Sequence, residues 1–142
     1  MVDYRSVWKT SEVVVELHCR GSEVILERTR GRQQKKKRVY LKTEYLVSLL
    51  QAVVCALSQQ PQHQLRVVEL VGLVDGGMGV LSVKWSPYWF GTCNALMIQG
   101  RAGQCIAIEQ WNAVSFAAWL ALAAAAVHSP EGSLWHHGGQ LS

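Results

Sequence analysis

Acidic residues are scarce in this chain: ten Asp and Glu among 142 residues, scattered among basic neighbours. That leaves little material for paired-carboxylate acid–base chemistry. No glycine-rich phosphate loop of the G-x-x-x-x-G-K-[ST] type is present. The segment "DGGMG" at 75–79 lacks the lysine and reads as a turn. The four cysteines, Cys19, Cys55, Cys93 and Cys105, contain no C-x-x-C pair, so they read as reduced thiols of an intracellular compartment. Cys19, Cys93 and Cys105 fall in or beside strands, where a buried thiol is the default. His18, next to Cys19, points to the opposite sheet face, which argues against a Cys–His pair. His136 and His137 are adjacent, which does not converge ligands on a metal. The chain therefore reads as a non-enzyme, with no metal and no cofactor.

Long apolar runs are lacking too. The N-terminal "MVDYRSVWKTSE" has no apolar core of a secretory signal, and it does not resemble a mitochondrial presequence. The longest uncharged apolar run, "AVSFAAWLALAAAAV" at 113–127, is shorter than the roughly 20 residues a membrane helix needs. It reads as a buried helix, and no membrane contact is expected.

What the chain has is positive charge, on one side. Residues 1–42 hold eleven of the fourteen Lys and Arg against five acids, a local net of +6; the rest holds three bases and five acids, a net of −2. The run 30–38, "RGRQQKKKR", is the densest part. A one-sided basic segment suits contact with a polyanion and equally suits a solvated surface.

Alternation organises this half. In "EVVVELHCR", Val13, Val15, Leu17 and Cys19 share one face, with Glu12, Glu16, His18 and Arg20 on the other, the period of a half-buried strand. Gly21-Ser22 makes a turn into "EVILERTR", and after a basic loop "RVYLK" places Val39 and Leu41 inward and Arg38, Tyr40 and Lys42 outward. Thr43 is a plausible N-cap for a helix carrying Leu46, Leu49, Leu50, Val53 and Leu57 on one side. "SQQPQHQ" ends it at Pro61.

The pattern then restarts. "LRVVELVGLV", "VLSVKWS", "NALMIQG" and "QCIAIE" read as four strands, with Leu81, Val83 and Trp85 on one face. "QWNAVSFAAWLALAAAAVH" is the closing helix, stopped at Ser129-Pro130. With "DYRSVWK" as the first strand, the chain is α+β: one domain, 1–128, of two tandem β-β-β-β-α repeats (3–60 and 65–128), and a flexible tail, 129–142. The two strand-to-helix junctions, "RVYLK-TEYLVSLL" and "CIAIE-QWNAVSFA", match in form, each with an aromatic in the first turn.

Such a repeat resembles the superfamily of single-stranded nucleic-acid-binding proteins. This includes the plant Whirly proteins, the purine-rich-element-binding (PUR) proteins, a single-stranded-DNA-binding transcriptional coactivator and the kinetoplastid mitochondrial guide-RNA-binding proteins. The stretch "GRAGQCIAIEQWNAVSFAAWL" carries the resemblance most specifically, being similar to the coactivator's last strand and Gln-Trp helix start. The resemblance implies curved antiparallel sheets braced by helices, single strands lying on their polar faces, and higher oligomers. The second repeat departs from it in having only Arg66, Lys84 and Arg101 as bases, which puts symmetric binding by both repeats in doubt.

Single-stranded nucleic acid needs cations along its backbone and flat side chains for its bases. Arg20, Arg28, Arg30, Arg32, Lys35, Lys36, Lys37, Arg38 and Lys42, with Lys84 and Arg101, are the candidate phosphate contacts. Tyr40 and Trp89 are the candidate stacking residues. Tyr88, Trp89 and Phe90 follow Pro87 in a loop and suit base stacking or protein docking equally. The expectation is a binder of RNA or single-stranded DNA with little sequence preference, mitochondrial or nuclear. It is expected to oligomerise with itself or another chain through the alanine-rich helix and the 88–90 aromatics. The competing expectation is a structural subunit of a larger ribonucleoprotein, anchored to RNA by the basic segment.

Overall fold

The computed structural model describes residues 3–31, 35–58, 69–74, 80–86, 93–100 and 103–129. Its elements run β1 (Asp3–Lys9), β2 (Val13–Arg20), β3 (Glu23–Arg30), β4 (Lys35–Lys42), α1 (Leu46–Ser58), β5 (Glu69–Val74), β6 (Val80–Ser86), β7 (Ala95–Gln99), β8 (Cys105–Glu109) and α2 (Ala113–His128). Two antiparallel sheets, β1-β2-β3-β4 and β5-β6-β7-β8, each precede one helix. The order is thus ββββα twice.

Period-two patterning sets the faces of the first sheet. Val13, Val15, Leu17 and Cys19 of β2, Val24 and Leu26 of β3, and Val39 and Leu41 of β4 are all buried. Gly21, at φ 64, takes the left-handed conformation that the β2–β3 turn needs. The basic stretch between β3 and β4 is not a loop over its whole length. Arg30 pairs with Lys35, Thr29 with Lys36 and Arg28 with Lys37, so much of it is hairpin ladder. Pairing satisfies those backbone groups and fixes which basic side chains share a face.

Both strand-to-helix junctions pass through a 3-10 turn, Thr43–Tyr45 before α1 and Gln110–Asn112 before α2. Each turn holds the aromatic that the sequence places there, Tyr45 and Trp111. Thr43 does not cap α1: Lys42 precedes the turn with no side-chain cap. The Thr43 hydroxyl instead donates to the Gly21 carbonyl at 3.1 Å, tying the helix start to the β2–β3 turn.

One core runs through both units, containing Leu17, Leu26, Leu46 and Leu49 from the first and Trp85, Ile98, Phe116 and Leu120 from the second. Trp85 is fully buried and donates its indole N–H to the Ala56 carbonyl of α1 at 2.8 Å. Helix α2 docks on β1 through two more indoles, Trp8 donating to Ser115 Oγ at 3.0 Å and Trp119 to Ser6 Oγ at 2.8 Å. Trp8 also meets Phe116 edge-on, a preferred aromatic geometry.

By length and composition, Gln110–His128 is long and apolar enough to cross a membrane. In this fold it is a packing helix: Ala113, Phe116, Ala117, Leu120, Ala123, Ala124 and Val127 are buried against the core. Its opposite side exposes Val114 and Leu122, and Trp111 just before it is 68% exposed.

Candidate nucleic-acid interface

The outward face of the first sheet is open. Register places four cross-strand rows on it: Asp3–Arg20–Glu23–Lys42, Arg5–His18–Ile25–Tyr40, Val7–Glu16–Glu27–Arg38, and Lys9–Val14–Thr29–Lys36. None of these side chains is buried. The carboxylates Glu16, Glu23 and Glu27 sit on the two central strands, while β4 presents only Lys36, Arg38, Tyr40 and Lys42. Alternate residues on a strand lie about 6.8 Å apart, so β4 carries a regular file of three cations and one aromatic ring.

A depression of about 310 Å³ lies on this face, lined by Arg5, Glu16, His18, Ile25, Glu27, Arg38 and Tyr40. Glu27 orders it. The Arg38 guanidinium donates to Glu27 Oε2, and Lys36 Nζ lies 3.8 Å from Oε1. Glu27, with Tyr40 adding to it, holds Arg38 above its ordinary pKa. These pairs are exposed, so they contribute little to stability and leave both cations available for exchange onto a stronger anion. His18 meets Asp3 at 3.0 Å.

The remaining basic residues separate by strand parity. Arg28 shares the inward parity of Val24 and Leu26 and is only 7% exposed. It does not lie on the open face, which corrects its assignment as a surface phosphate contact. Burial lowers its pKa, and nearby Glu109 partly offsets this. Arg30, with the same parity, approaches Glu109 at 3.6 Å through Nη1. Both arginines thus help to join the first sheet to β8 of the second. Lys37 also has inward parity but is exposed, and it lies with Arg28 and Lys84 within electrostatic reach of Cys105. The structure therefore gathers the predicted cations into two groups: Lys36, Arg38 and Lys42, with Arg20 in the Lys42 row, on the open face, and Arg28, Arg30, Lys37 and Lys84 toward the seam. Arg32, Trp89 and Arg101 lie outside the described residues, as do Tyr88, Phe90, the side chain of Lys35 and the tail after Ser129.

The seam is close. Gln104 Oε1 accepts the Tyr40 backbone N–H at 3.1 Å, occupying a donor on the edge strand β4. A Cβ at Gly100 would stand 3.2 Å from Val39 Cγ1 and 3.0 Å from Gln104 Oε1, so glycine permits this approach. Two features here escaped the sequence reading. Glu109 is 4% exposed, and Trp111 and Glu109 line a second cavity of about 200 Å³ with Thr10, Ser11, Glu12, Arg30 and Asn112. The Gln-Trp pair was visible in the sequence, but only as a mark of helix onset.

Of the cysteines, Cys19 and Cys93 are buried, Cys105 is half-buried and Cys55 is exposed on α1. Among the described residues no three His, Cys, Asp or Glu side chains group as metal ligands. No protein-family model matches the chain, and no curated protein matches it with significant similarity.

Proposed function

We propose that this protein is a non-catalytic binder of single-stranded RNA or DNA, with the strand lying across the open face of the first sheet. The observation that carries this reading is the outward file on β4. Lys36, Arg38 and Lys42 supply cations at a spacing comparable to the phosphate repeat of an extended single strand, with Tyr40 set among them as a stacking surface. The depression beside Tyr40 has room for a base, and Arg5 and Arg20 extend the positive character across the sheet. The ββββα-ββββα order supports kinship with the Whirly and PUR type of fold, whose members hold single strands on such faces.

Fluorescence anisotropy with a labelled single strand of about 20 nucleotides, titrated with salt, tests the reading. Binding should weaken with log salt at about 0.7 per phosphate contacted. Reversing charge at Lys36, Arg38 and Lys42 to Glu should lower affinity at least about tenfold and flatten the slope by two to three contacts. Unchanged binding in that variant would remove the β4 file from consideration.

A second reading, a subunit of a larger ribonucleoprotein, is favoured by one observation: Val114 and Leu122 of α2 are 67% and 73% exposed on a helix without charged residues. An uncovered apolar helix face of this kind suits a protein interface. Gel filtration separates the two. A defined monomer or closed oligomer supports autonomous binding, whereas aggregation of the isolated chain supports the subunit.

A further inference from the structure

Strand β1 ends the first sheet, and among the described residues no strand pairs with its far side. The opposite edge is occupied: β4 lies against β8, and Gln104 Oε1 accepts the Tyr40 N–H at 3.1 Å. The indole bonds that dock α2 on β1, Trp8 to Ser115 Oγ and Trp119 to Ser6 Oγ, join side chains and take no β1 backbone group. The register of β1 against β2 is unbroken over all 7 residues, and the strand has no proline. A regular edge without a bulge or proline is a template for another strand.

We infer that the partner of this edge is β1 of a second copy of the chain, paired antiparallel about a two-fold axis at Ser6. The strand's own charges select both partner and register. With Ser6 opposite Ser6, the exposed outward residues meet as Asp3 with Lys9 of the second copy and Lys9 with its Asp3, while Arg5 meets Val7 both ways. The two-fold axis thus makes two opposite-charge pairs from one sequence. On the inner face Tyr4 falls opposite Trp8 of the second copy, a favourable cross-strand aromatic pair. Sliding by two residues one way sets Arg5 against Arg5, and the other way sets Arg5 against Lys9 at both ends. Sliding by one residue continues the polar outward face of one copy into the apolar inner face of the other. The Ser6-centred register alone uses the whole strand and pairs unlike charges. It also joins two open faces. The row Lys42–Glu23–Arg20–Asp3 runs on into Lys9–Val14–Thr29–Lys36 of the second copy, and the two β4 files lie at the far ends of one continuous sheet.

Sedimentation equilibrium of the full chain without nucleic acid tests this contact, so its outcome does not depend on the binding proposed above. A dimer is expected at about 100 µM, dissociating on dilution. Lys9→Asp sets carboxylates against each other at both ends and should raise the dissociation constant at least about tenfold. Adding Asp3→Lys restores unlike pairs and should return the constant to within about threefold of the original. Asp3 also meets His18 at 3.0 Å, so melting curves accompany both variants, and amide exchange decides if the double variant does not fold. In the unaltered chain at about 100 µM, the β1 N–H groups directed away from β2 should be protected, whereas in Lys9→Asp they should exchange freely. A chain that stays monomeric, a dimer indifferent to Lys9→Asp, or β1 amides that exchange alike in both proteins overturns the contact. Association that Leu122→Lys abolishes and Lys9→Asp leaves intact runs through α2, and overturns it as well.

Discussion

The two repeats share their order of elements and differ in what their sheets do with the second face. In the first, the inward side is core and the outward side is open, lined with cations and carboxylates. In the second, the inward residues Leu96, Ile98, Ile106 and Ile108 are core, yet the outward Ala95, Met97 and Ala107 are buried as well, forming a small cluster with Cys105 packed against it. Duplicating a topology therefore does not duplicate a surface. One sheet keeps a polar outward face, while in the other β7 and β8 are buried almost throughout on both faces, with Lys84 of β6 and Glu109 of β8 near the seam. Binding, on this view, belongs mainly to the first repeat, and the second supplies the support and one wall.

Substituting lysine on matching outward faces should break this comparison most visibly. Ala107→Lys places an unpaired cation where the native side chain is 4% exposed, and should destabilise on the order of 3 kcal/mol. Val7→Lys falls at a site that is 47% exposed and directly opposite Glu16, so it should change stability by less than about 0.5 kcal/mol. Urea unfolding of the two variants measures the contrast. Equal tolerance would mean that the second sheet is as open as the first.

A smaller contrast separates two bases from one sequence run. Arg28→Met removes a buried cation near Glu109 and should cost roughly 2 kcal/mol, below the full penalty of an orphaned buried charge because Arg30 stays. Lys36→Met breaks only an exposed pair with Glu27 and should cost under about 0.5 kcal/mol. Nucleic-acid affinity should respond in the reverse order: Lys36→Met reduces the salt slope by about one contact, and Arg28→Met leaves it unchanged. Thermal melts and salt titrations on the same two samples give both halves.

These residues also show what was legible in the sequence. Strand faces were readable because alternation reports burial directly: Val13 to Cys19, Val39 and Leu41, and Leu81 to Trp85 all fell as the pattern implied. The repeat was readable because two junctions with the same form led to two identical element orders. Assigning Arg28 to a surface patch failed because the run was read by charge density, whereas Arg30, of the same parity, keeps its side chain 42% exposed at the seam. The parity that placed Val24 and Leu26 inward already placed Arg28 with them. Lys37 likewise has the parity of Val39 and Leu41. The end of the basic loop, Lys35 to Arg38, turned out to be hairpin, since Lys and Arg carry weak strand signals that pairing with β3 overrides. The pocket at Trp111 was beyond the sequence, because it depends on β8 of one repeat meeting the β1–β2 turn of the other. No local pattern records how those two elements pack.

The cysteines offer the mildest probe, since labelling need not disturb the fold. Cys55 is exposed on α1, whereas Cys105 is half-buried on β8. Burial raises the Cys105 pKa above that of an ordinary thiol, and Lys37, Lys84 and Arg28 pull it only partly back. A raised pKa means less thiolate at any pH below it, and the thiolate is the reactive form. Cys55 should therefore react with N-ethylmaleimide at pH 7.5 at least about tenfold faster than Cys105. Raising the pH should then accelerate Cys105 over a range above that of an ordinary thiol. A bound single strand sharpens the comparison: phosphates near Lys37 and Lys84 would cancel the positive field that favours the Cys105 thiolate, slowing Cys105 further while leaving Cys55 unchanged. If Cys105 slows and Cys55 does not, the strand extends from β4 to the seam. If neither changes, it stays on the open face, and Lys37 and Lys84 drop out of the interface.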